Sequence, residues 1–248
     1  MSDAGSAEAA LVWTEPFQIR AYEVGPDERA TVLTLCDLLQ EAAGEHARSA
    51  GREGFPLPGG GWATWVLSRL RVRVARRPRM RERIQIETWP SDLDGLRATR
   101  DFRVAGADGD ALAAATSSWF LIDVARRRPV RLPEAMQGFA ARERPRAHTF
   151  DAAPEAPREA EAERAFGVRR SDLDRVGHAN NVRFVEWALE ALDDDHGLRD
   201  LDVQYRAEAV YGDTVVSRAG AVRDGVRDHE IVRASDGRTL ALARTLWH

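Results

Sequence analysis

Cysteine is nearly absent from this chain of 248 residues, because Cys36 is the only one. A single thiol excludes an intramolecular disulfide, and no Cys/His cluster indicates a structural zinc. Cys36 is expected to be a buried core thiol. Long apolar runs are also absent, since no segment approaches the ~18 apolar residues of a membrane helix. Residues 1–10 lack the pattern of a signal peptide, so we expect a cytoplasmic protein without membrane insertion.

A basic excess is missing as well. Arginine supplies all 36 cationic side chains, against 40 Asp and Glu, and the formal net charge is −4. A general nucleic-acid binder normally carries a strongly basic face, so the composition argues against nucleic acid as a partner.

Several common reaction motifs are missing too. The sequence has no Gly-x-Ser-x-Gly, His-Glu-x-x-His, P-loop or Gly-x-Gly-x-x-Gly pattern, which argues against the enzymes that use them. Asp193-Asp-Asp-His196 has metal-ligand residue types, but consecutive residues at a helix end point in different directions, which favours a solvated helix turn. We therefore expect neither a metal nor a redox cofactor.

The chain is predicted to contain two modules. Residues 142–164, rich in Ala, Pro, Glu and Arg, have the composition of an exposed linker between residues 12–141 and residues 165–248. Each module has a short strand, one long amphipathic helix and several strands of alternating polarity. The helices are predicted at residues 30–48 and 181–193. The strands are predicted at residues 17–24, 65–74, 83–89, 95–104, 111–124, 166–170, 201–210, 214–222, 229–234 and 239–247.

The modules have the pattern of a duplication. Residues 35–42 parallel residues 184–191, and residues 114–122 parallel residues 241–247. One long helix covered by an antiparallel sheet is an α+β layer arrangement. It resembles the hotdog fold, and the predicted fold class is two tandem hotdog modules, each a long central helix wrapped by an antiparallel β-sheet.

Polar side chains gather at the predicted start of the second helix, where the sequence contains Asp174, His178, Asn180 and Asn181. Either asparagine is able to cap the helix, whose first N–H groups carry partial positive charge that polarises a carbonyl oxygen. Asp174 and His178 are near enough in sequence to face one pocket. The alternative is a capping turn with solvated side chains.

A second candidate is Glu208, in the predicted strand 201–210. Strand alternation places it on the same face as Gln204 and Arg206. The alternative interpretation is an ordinary exposed strand carboxylate.

At these residues the sequence resembles the acyl-acyl carrier protein (acyl-ACP) thioesterases. Their Asp-x-Asn-x-His-x-Asn-Asn segment before the central helix is similar to residues 174–181, and their later glutamate block is similar to residues 205–213. The resemblance covers nearly everything from about residue 12 to residue 248. First-module segments that agree are Glu87-Thr-Trp-Pro90, Arg100-Asp-Phe-Arg103 and Thr116-Ser-Ser-Trp119.

The resemblance implies hydrolysis of fatty acyl-ACP thioesters to free fatty acid, in fatty acid biosynthesis, with the acyl carrier protein as partner. Asp174, His178 and Glu208 match the family's catalytic aspartate, its histidine and the glutamate proposed to activate water. Ala209 stands where plant members often have a cysteine. An acyl-enzyme on a thiol at this position is thereby excluded, and water is the expected nucleophile.

One residue departs from the family pattern. Val176 occupies the position of the asparagine, and a valine side chain makes no hydrogen bond. Losing one oriented polar contact commonly costs ~3 kcal/mol of transition-state stabilisation. The segment also resembles acyl-CoA thioesterases of the 4-hydroxybenzoyl-CoA type, which do not require that asparagine. A non-catalytic acyl-binding hotdog protein is the third alternative.

The acyl chain requires a long apolar pocket, which the resemblance to plant members assigns to the N-terminal module. Trp62, Trp65 and the inward face of helix 30–48 are candidates for its lining, and simple core packing is the alternative. The sequence leaves open whether the tandem chain also forms a homodimer.

Arginines on one predicted strand are candidates for binding the carrier. Alternation places Arg69, Arg71 and Arg73 on one face. Carrier proteins are acidic, and guanidinium groups suit carboxylates and phosphates. We therefore expect an exposed docking face here, with a merely solvated strand face as the alternative.

Overall fold

The computed structural model describes residues 11–192 and 197–247, and the chain divides into two compact units. Among these residues, the first unit comprises those up to Ser68 together with Val74–Thr149. The second comprises Arg69–Arg73 and the residues from Phe150 onward. The boundary after Thr149 falls inside the predicted linker, but nothing in the sequence indicated that Arg69–Arg73 would group with the second half.

In the first unit, one helix packs against an antiparallel sheet. Helix α1 (Val32–Ser49) contacts the first and fourth strands of the chain. The strands of the sheet are β1 (Trp13–Gln18), β2 (Gly54–Pro56), β3 (Trp62–Val74), β4 (Arg83–Asp94), β5 (Arg97–Gly106), β6 (Ala111–Asp123) and β7 (Arg128–Val130). Their order is β1-β4-β5-β6-β3, with β2 beside β3 and β7 beside β6.

A side-chain cap at its start and a left-handed glycine after its end fix the limits of helix α1. Thr31 caps it, because its side-chain oxygen accepts the N–H of Thr34 at 3.1 Å. Gly51, with φ +64°, takes the left-handed conformation that ends many helices. The buried face includes Cys36, and its burial raises the pKa of the thiol to about 12. The prediction of a buried core thiol is confirmed.

The second unit repeats the arrangement. Helix α2 (Asn181–Leu189) packs against three strands of an antiparallel sheet. Its strands are β8 (Ala162–Gly167), β9 (Leu198–Tyr205), β10 (Thr214–Ala219), β11 (Val226–Arg233) and β12 (Thr239–Trp247). The Arg69–Arg73 segment of β3 pairs antiparallel with β9, and the order continues β9-β12-β11-β10-β8.

Some predicted boundaries were wrong. The first strand of each unit ends before the predicted limit, because a short 3-10 turn follows it, at Ala21–Glu23 and at Arg170–Asp172. In each turn the acidic third residue accepts the N–H of the residue before the turn, at 2.6 Å for Glu23 and 2.7 Å for Asp172. Helix α2 ends at Leu189, and the predicted turn at residues 193–196 lies outside the described residues.

The predicted linker is held against its own units. Strand β8 begins at Ala162, inside the predicted linker. In the first unit, Arg144 pairs with Glu87 at 2.5 Å and lies over the ring of Trp89. In the second, Asp151 pairs with Arg71.

Neither helix of the described residues is long and apolar enough to cross a membrane.

Candidate active site

The loop before helix α2 is a tight turn built around Asp174. Its Oδ1 accepts the backbone N–H groups of Val176 and His178, at 2.9 and 3.1 Å. The Asp174 N–H donates in turn to the carbonyl of His178 at 2.7 Å. Gly177 has φ +88°, which residues with a Cβ rarely adopt. The turn therefore fixes Asp174 relative to His178, as their spacing in one loop suggested.

The same loop is anchored to the helix and to the chain after β9. Asn180 caps α2, because its Oδ1 accepts the N–H of Val182 at 3.0 Å, and its carbonyl accepts the N–H of Arg183 at 2.8 Å. The N–H of Ala179 donates to the carbonyl of Ala209 at 2.8 Å. Two N–H groups of the helix start are therefore already bonded. The N–H groups of Val182 and Arg183 are therefore not free to bind a substrate carbonyl. Its polarisation here would depend on the helix dipole and on other hydrogen-bond donors.

Glu208 reaches the loop because β9 ends early. The strand stops at Tyr205, and the N–H groups of Arg206 and Ala207 share the carbonyl of Leu240, at 2.8 and 3.1 Å. Two residues then face one partner residue, which is the geometry of a β-bulge, and bulges redirect the side chains that follow. The predicted strand 201–210 was wrong beyond Tyr205, and with it the placement of Glu208 on a strand face.

His178 and Glu208 come together as a result. The Nε2 of His178 lies 3.4 Å from Oε2 of Glu208, with 33% and 41% of the side chains exposed. A backbone bridge joins His178 to Val210. Two segments distant in sequence thus place a histidine and a carboxylate within reach of water, beside the turn that Asp174 organises.

The first unit contains the same loop without these groups. Gly25 donates its N–H to the carbonyl of Arg29 at 2.9 Å, as Asp174 does to His178 in the second unit. The N–H of Ala30 donates to the carbonyl of Pro78 at 2.8 Å. A matching bulge is present, since the N–H groups of residues 75 and 76 both donate to the carbonyl of residue 112. At the positions of Asp174, His178 and Glu208 the first unit therefore has Gly25, Arg29 and Arg77.

The two tryptophans predicted to line an acyl pocket differ in environment. Trp62 is 48% exposed. Trp65 packs beside Phe55, edge to face at 6.3 Å, against an apolar cluster that includes Met136. Its Nε1 donates to the carbonyl of Arg52 at 2.8 Å. Core packing accounts for Trp65, and a lining role for either tryptophan stays a prediction.

The predicted exposed arginine face was wrong for two of its three members. Arg69 and Arg71 each have side chains only 13% exposed. Arg69 binds Asp202 through two bonds of 2.8 and 2.6 Å, and Arg71 binds Asp200 through two of 3.0 Å. These bonds arise because β9 pairs antiparallel with this segment of β3. Arg73 also pairs with Asp200, at 3.2 Å, but 56% of its side chain is exposed, so it is the member that matches the prediction.

Two residues hold the Glu208 segment: Arg233, which sequence reasoning missed, and Asp213, which lies at the end of the glutamate block 205–213 but had been given no role. Arg233, at the end of β11, donates from Nη2 to the carbonyl of Glu208 at 2.6 Å and from Nε to Oδ2 of Asp213 at 3.1 Å. The same Oδ2 accepts the N–H of Val210 at 3.0 Å. The internal repeat was the available signal, because Glu82 occupies the equivalent turn in the first unit, where it accepts the N–H of Arg79 at 2.8 Å.

Two copies of a helix on an antiparallel sheet, with a polar loop at the second helix start, define the class: an α+β protein of two tandem hotdog folds. The sequence-family model of the acyl-ACP thioesterase N-terminal domain matches residues 10–138. The family model of the C-terminal domain matches residues 155–248. The chain belongs to the acyl-ACP thioesterase family. This confirms the resemblance seen in the sequence and the predicted fold class.

Individual relatives agree. The chain is 31% identical to the chloroplastic palmitoyl-acyl carrier protein thioesterase of Gossypium hirsutum over 96% of its own length, which spans 64% of that protein. An acyl-ACP thioesterase from Bacteroides thetaiotaomicron superposes with TM-score 0.83 at 22% identity, covering 97% of this chain and 99% of that one. The 12:0-ACP thioesterase from Umbellularia californica gives TM-score 0.82 at 23% identity, covering 96% and 97%. At these identities the structural matches show the fold.

Proposed function

We propose that this protein hydrolyses the thioester between a fatty acyl chain and the phosphopantetheine arm of acyl carrier protein, releasing free fatty acid in fatty acid biosynthesis. The observation that carries the proposal is the His178–Glu208 pair, 3.4 Å apart at the start of α2, in a chain that belongs to this family.

The reaction proceeds by attack of water on the thioester carbonyl. Glu208 orients the water and removes its proton, with Asp174 as the alternative base, and His178 positions that carboxylate or shares the proton. The carbonyl oxygen develops negative charge near the positive end of α2. The carbon–sulfur bond then breaks, and the proton taken from water ends on the leaving sulfur. Ala209 is fully buried and has no nucleophilic group, so water is the attacking species.

Residues of each unit are candidates for substrate binding in this proposal. The first unit accommodates the acyl chain, with Trp62 and Trp65 as candidate lining residues, and Asn181 joins Asn180 at the carbonyl. Arg73 is the exposed candidate for contact with an acidic carrier. The cytoplasmic location and the absence of nucleic acid and membrane partners stay predictions, and formation of a homodimer stays open.

The decisive test compares free-thiol release from acyl-ACP and acyl-CoA substrates with matched acyl chains of several lengths. Preferential release from acyl-ACP supports the proposal, and preference for acyl-CoA would favour the 4-hydroxybenzoyl-CoA type of activity. No release from any substrate would favour a non-catalytic acyl-binding protein. The control is the Glu208→Gln protein prepared in parallel, because release that persists unchanged in it would point to a contaminant or to a different base.

A further inference from the structure

Arg233 is the junction of three hydrogen bonds beside the catalytic loop. Besides its bonds to the Glu208 carbonyl and to Asp213, its Nη1 donates to Oδ2 of Asp236 at 3.1 Å. The side chain is 20% exposed. One guanidinium therefore links the end of β11, and the turn between β11 and β12, to the segment that follows β9.

This arginine holds residues 208–210 at both ends. It binds the carbonyl of Glu208 directly, and through Asp213 it reaches the N–H of Val210. Val210 forms the backbone bridge to His178. The position of the Glu208 carboxylate relative to His178 thus depends on a segment whose two ends are fixed by one side chain.

The first unit contains arginine contacts that are comparable with those of Arg233. There Arg76 binds Glu82 through two bonds of 2.9 Å and also pairs with Asp110. In the described part of the chain, the side-chain hydrogen bonds of Arg76 go to those two carboxylates. An arginine that links the turn carboxylate to a second carboxylate is therefore common to both units. The Glu208 position corresponds to Arg77 in the first unit, where the Arg77 carbonyl accepts from Nη1 of Arg29 at 3.1 Å. The carboxylate link and the backbone bond are thus made by two arginines in the first unit, whereas Arg233 makes both in the second.

We propose that Arg233 is a positioning residue for thioester hydrolysis, which holds Glu208 at working distance from His178. The inference rests on the proposed function and on Glu208 acting in it. Arg233 acts through Glu208, so its loss should lower kcat without weakening substrate binding. A displacement of about 1 Å in a reacting group is enough to cost on the order of 100-fold in rate.

The test uses Arg233→Lys, because a single ammonium cannot reproduce the fork that serves three acceptors. We expect kcat for acyl-ACP to fall roughly 10- to 100-fold with little change in KM. Arg76→Lys is the matched control, since it disturbs the equivalent link in the first unit and should leave kcat near that of the unaltered chain.

A double-mutant cycle separates positioning from general stabilisation. If Arg233 acts through Glu208, adding Arg233→Lys to Glu208→Gln should cause little further loss of kcat. Equal losses in the presence and absence of Glu208 would overturn the inference, as would an unchanged kcat in folded Arg233→Lys protein. If Arg233→Lys does not fold, Asp213→Asn disturbs one arm of the link and should give the same coupling to Glu208. No turnover by the unaltered chain would instead refute the proposed function, and the inference with it.

Discussion

At the scale of single residues, the Asp174 side chain combines a structural and a proposed chemical role that substitution can separate. Asp174→Asn keeps an oxygen able to accept the N–H groups of Val176 and His178 but removes the charge. We expect kcat to fall ~100-fold or more, with a melting temperature close to that of the unaltered protein. Asp174→Ala should lose turn stability as well. A folded Asn variant with full activity would contradict a catalytic role for the carboxylate.

Val176 is the second residue whose effect is open to direct measurement. Val176 is 61% exposed and its N–H is held by Asp174, so Val176→Asn should leave the turn and the stability intact. We expect kcat to be unchanged or higher, because the substitution restores the polar group that the family carries. Val176→Leu serves as the apolar control. A large loss in the Asn variant alone would mean that this site is arranged differently from the family pattern.

At the scale of elements, the two helices have equivalent caps with different neighbours. Asn180→Ala and Thr31→Ala each remove one side-chain acceptor at a helix start, which costs about 1 kcal/mol and roughly 2–4 °C in melting temperature. The Asn180 variant should also lose kcat, since the cap adjoins the His178 turn, whereas the Thr31 variant should not. Equal effects on kcat would show that the α2 cap has no special role in the reaction.

The pairing of β11 with β12 buries a titratable group that gives stability a pH dependence. His229 is fully buried, and its Nε2 lies 2.8 Å from the hydroxyl of Thr245. Burial, aided by the charge of Arg227, lowers the pKa of His229 from 6.5 to about 4. The unfolded chain therefore binds the proton more readily between these values, so stability present above pH 6.5 is lost as the pH falls towards 4.

The loss attributable to His229 is on the order of 3 kcal/mol. It is measurable as the difference in free energy of unfolding between pH 7 and pH 4, where other groups also contribute. His229→Gln should remove this part of the pH dependence. An equally steep decline in the variant would assign the effect to other groups.

At the scale of the whole molecule, the net charge of −4 opposes association with an acidic carrier, so local cations matter more. Arg73→Gln should raise KM for acyl-ACP about twofold or more and leave hydrolysis of a short acyl-CoA unchanged, and added salt should mimic the effect. Equal changes with both substrates would exclude a docking role for Arg73.

Arg69→Glu tests a different property of the same strand. It would set a carboxylate against Asp202, whose side chain is 9% exposed, and breaking such a buried pair typically costs ~3 kcal/mol or more. A folded Arg69→Glu protein of normal stability with a raised KM for acyl-ACP alone would restore the exposed face predicted from alternation.

Much of this protein is decided by patterns local in sequence. Helical spacing predicted α1 closely, alternation predicted β12 at its observed limits, and the Asp174–His178 loop was recognisable because its members are adjacent in the chain. The family could be recognised from the same short segments. Such features depend on residues within one or two turns of each other, whose geometry follows from backbone periodicity.

Other features were decided by tertiary structure alone. Alternation could not show that Arg69 and Arg71 would face aspartates, because that depends on the register with β9. The bulge after Tyr205 and the hold of Arg233 on Glu208 likewise join residues far apart in sequence. The polarity pattern of a strand specifies which face a side chain takes and leaves unspecified which chain lies opposite. The acid–histidine pair exists because folding, through those long-range hydrogen bonds, brings two separate segments to 3.4 Å.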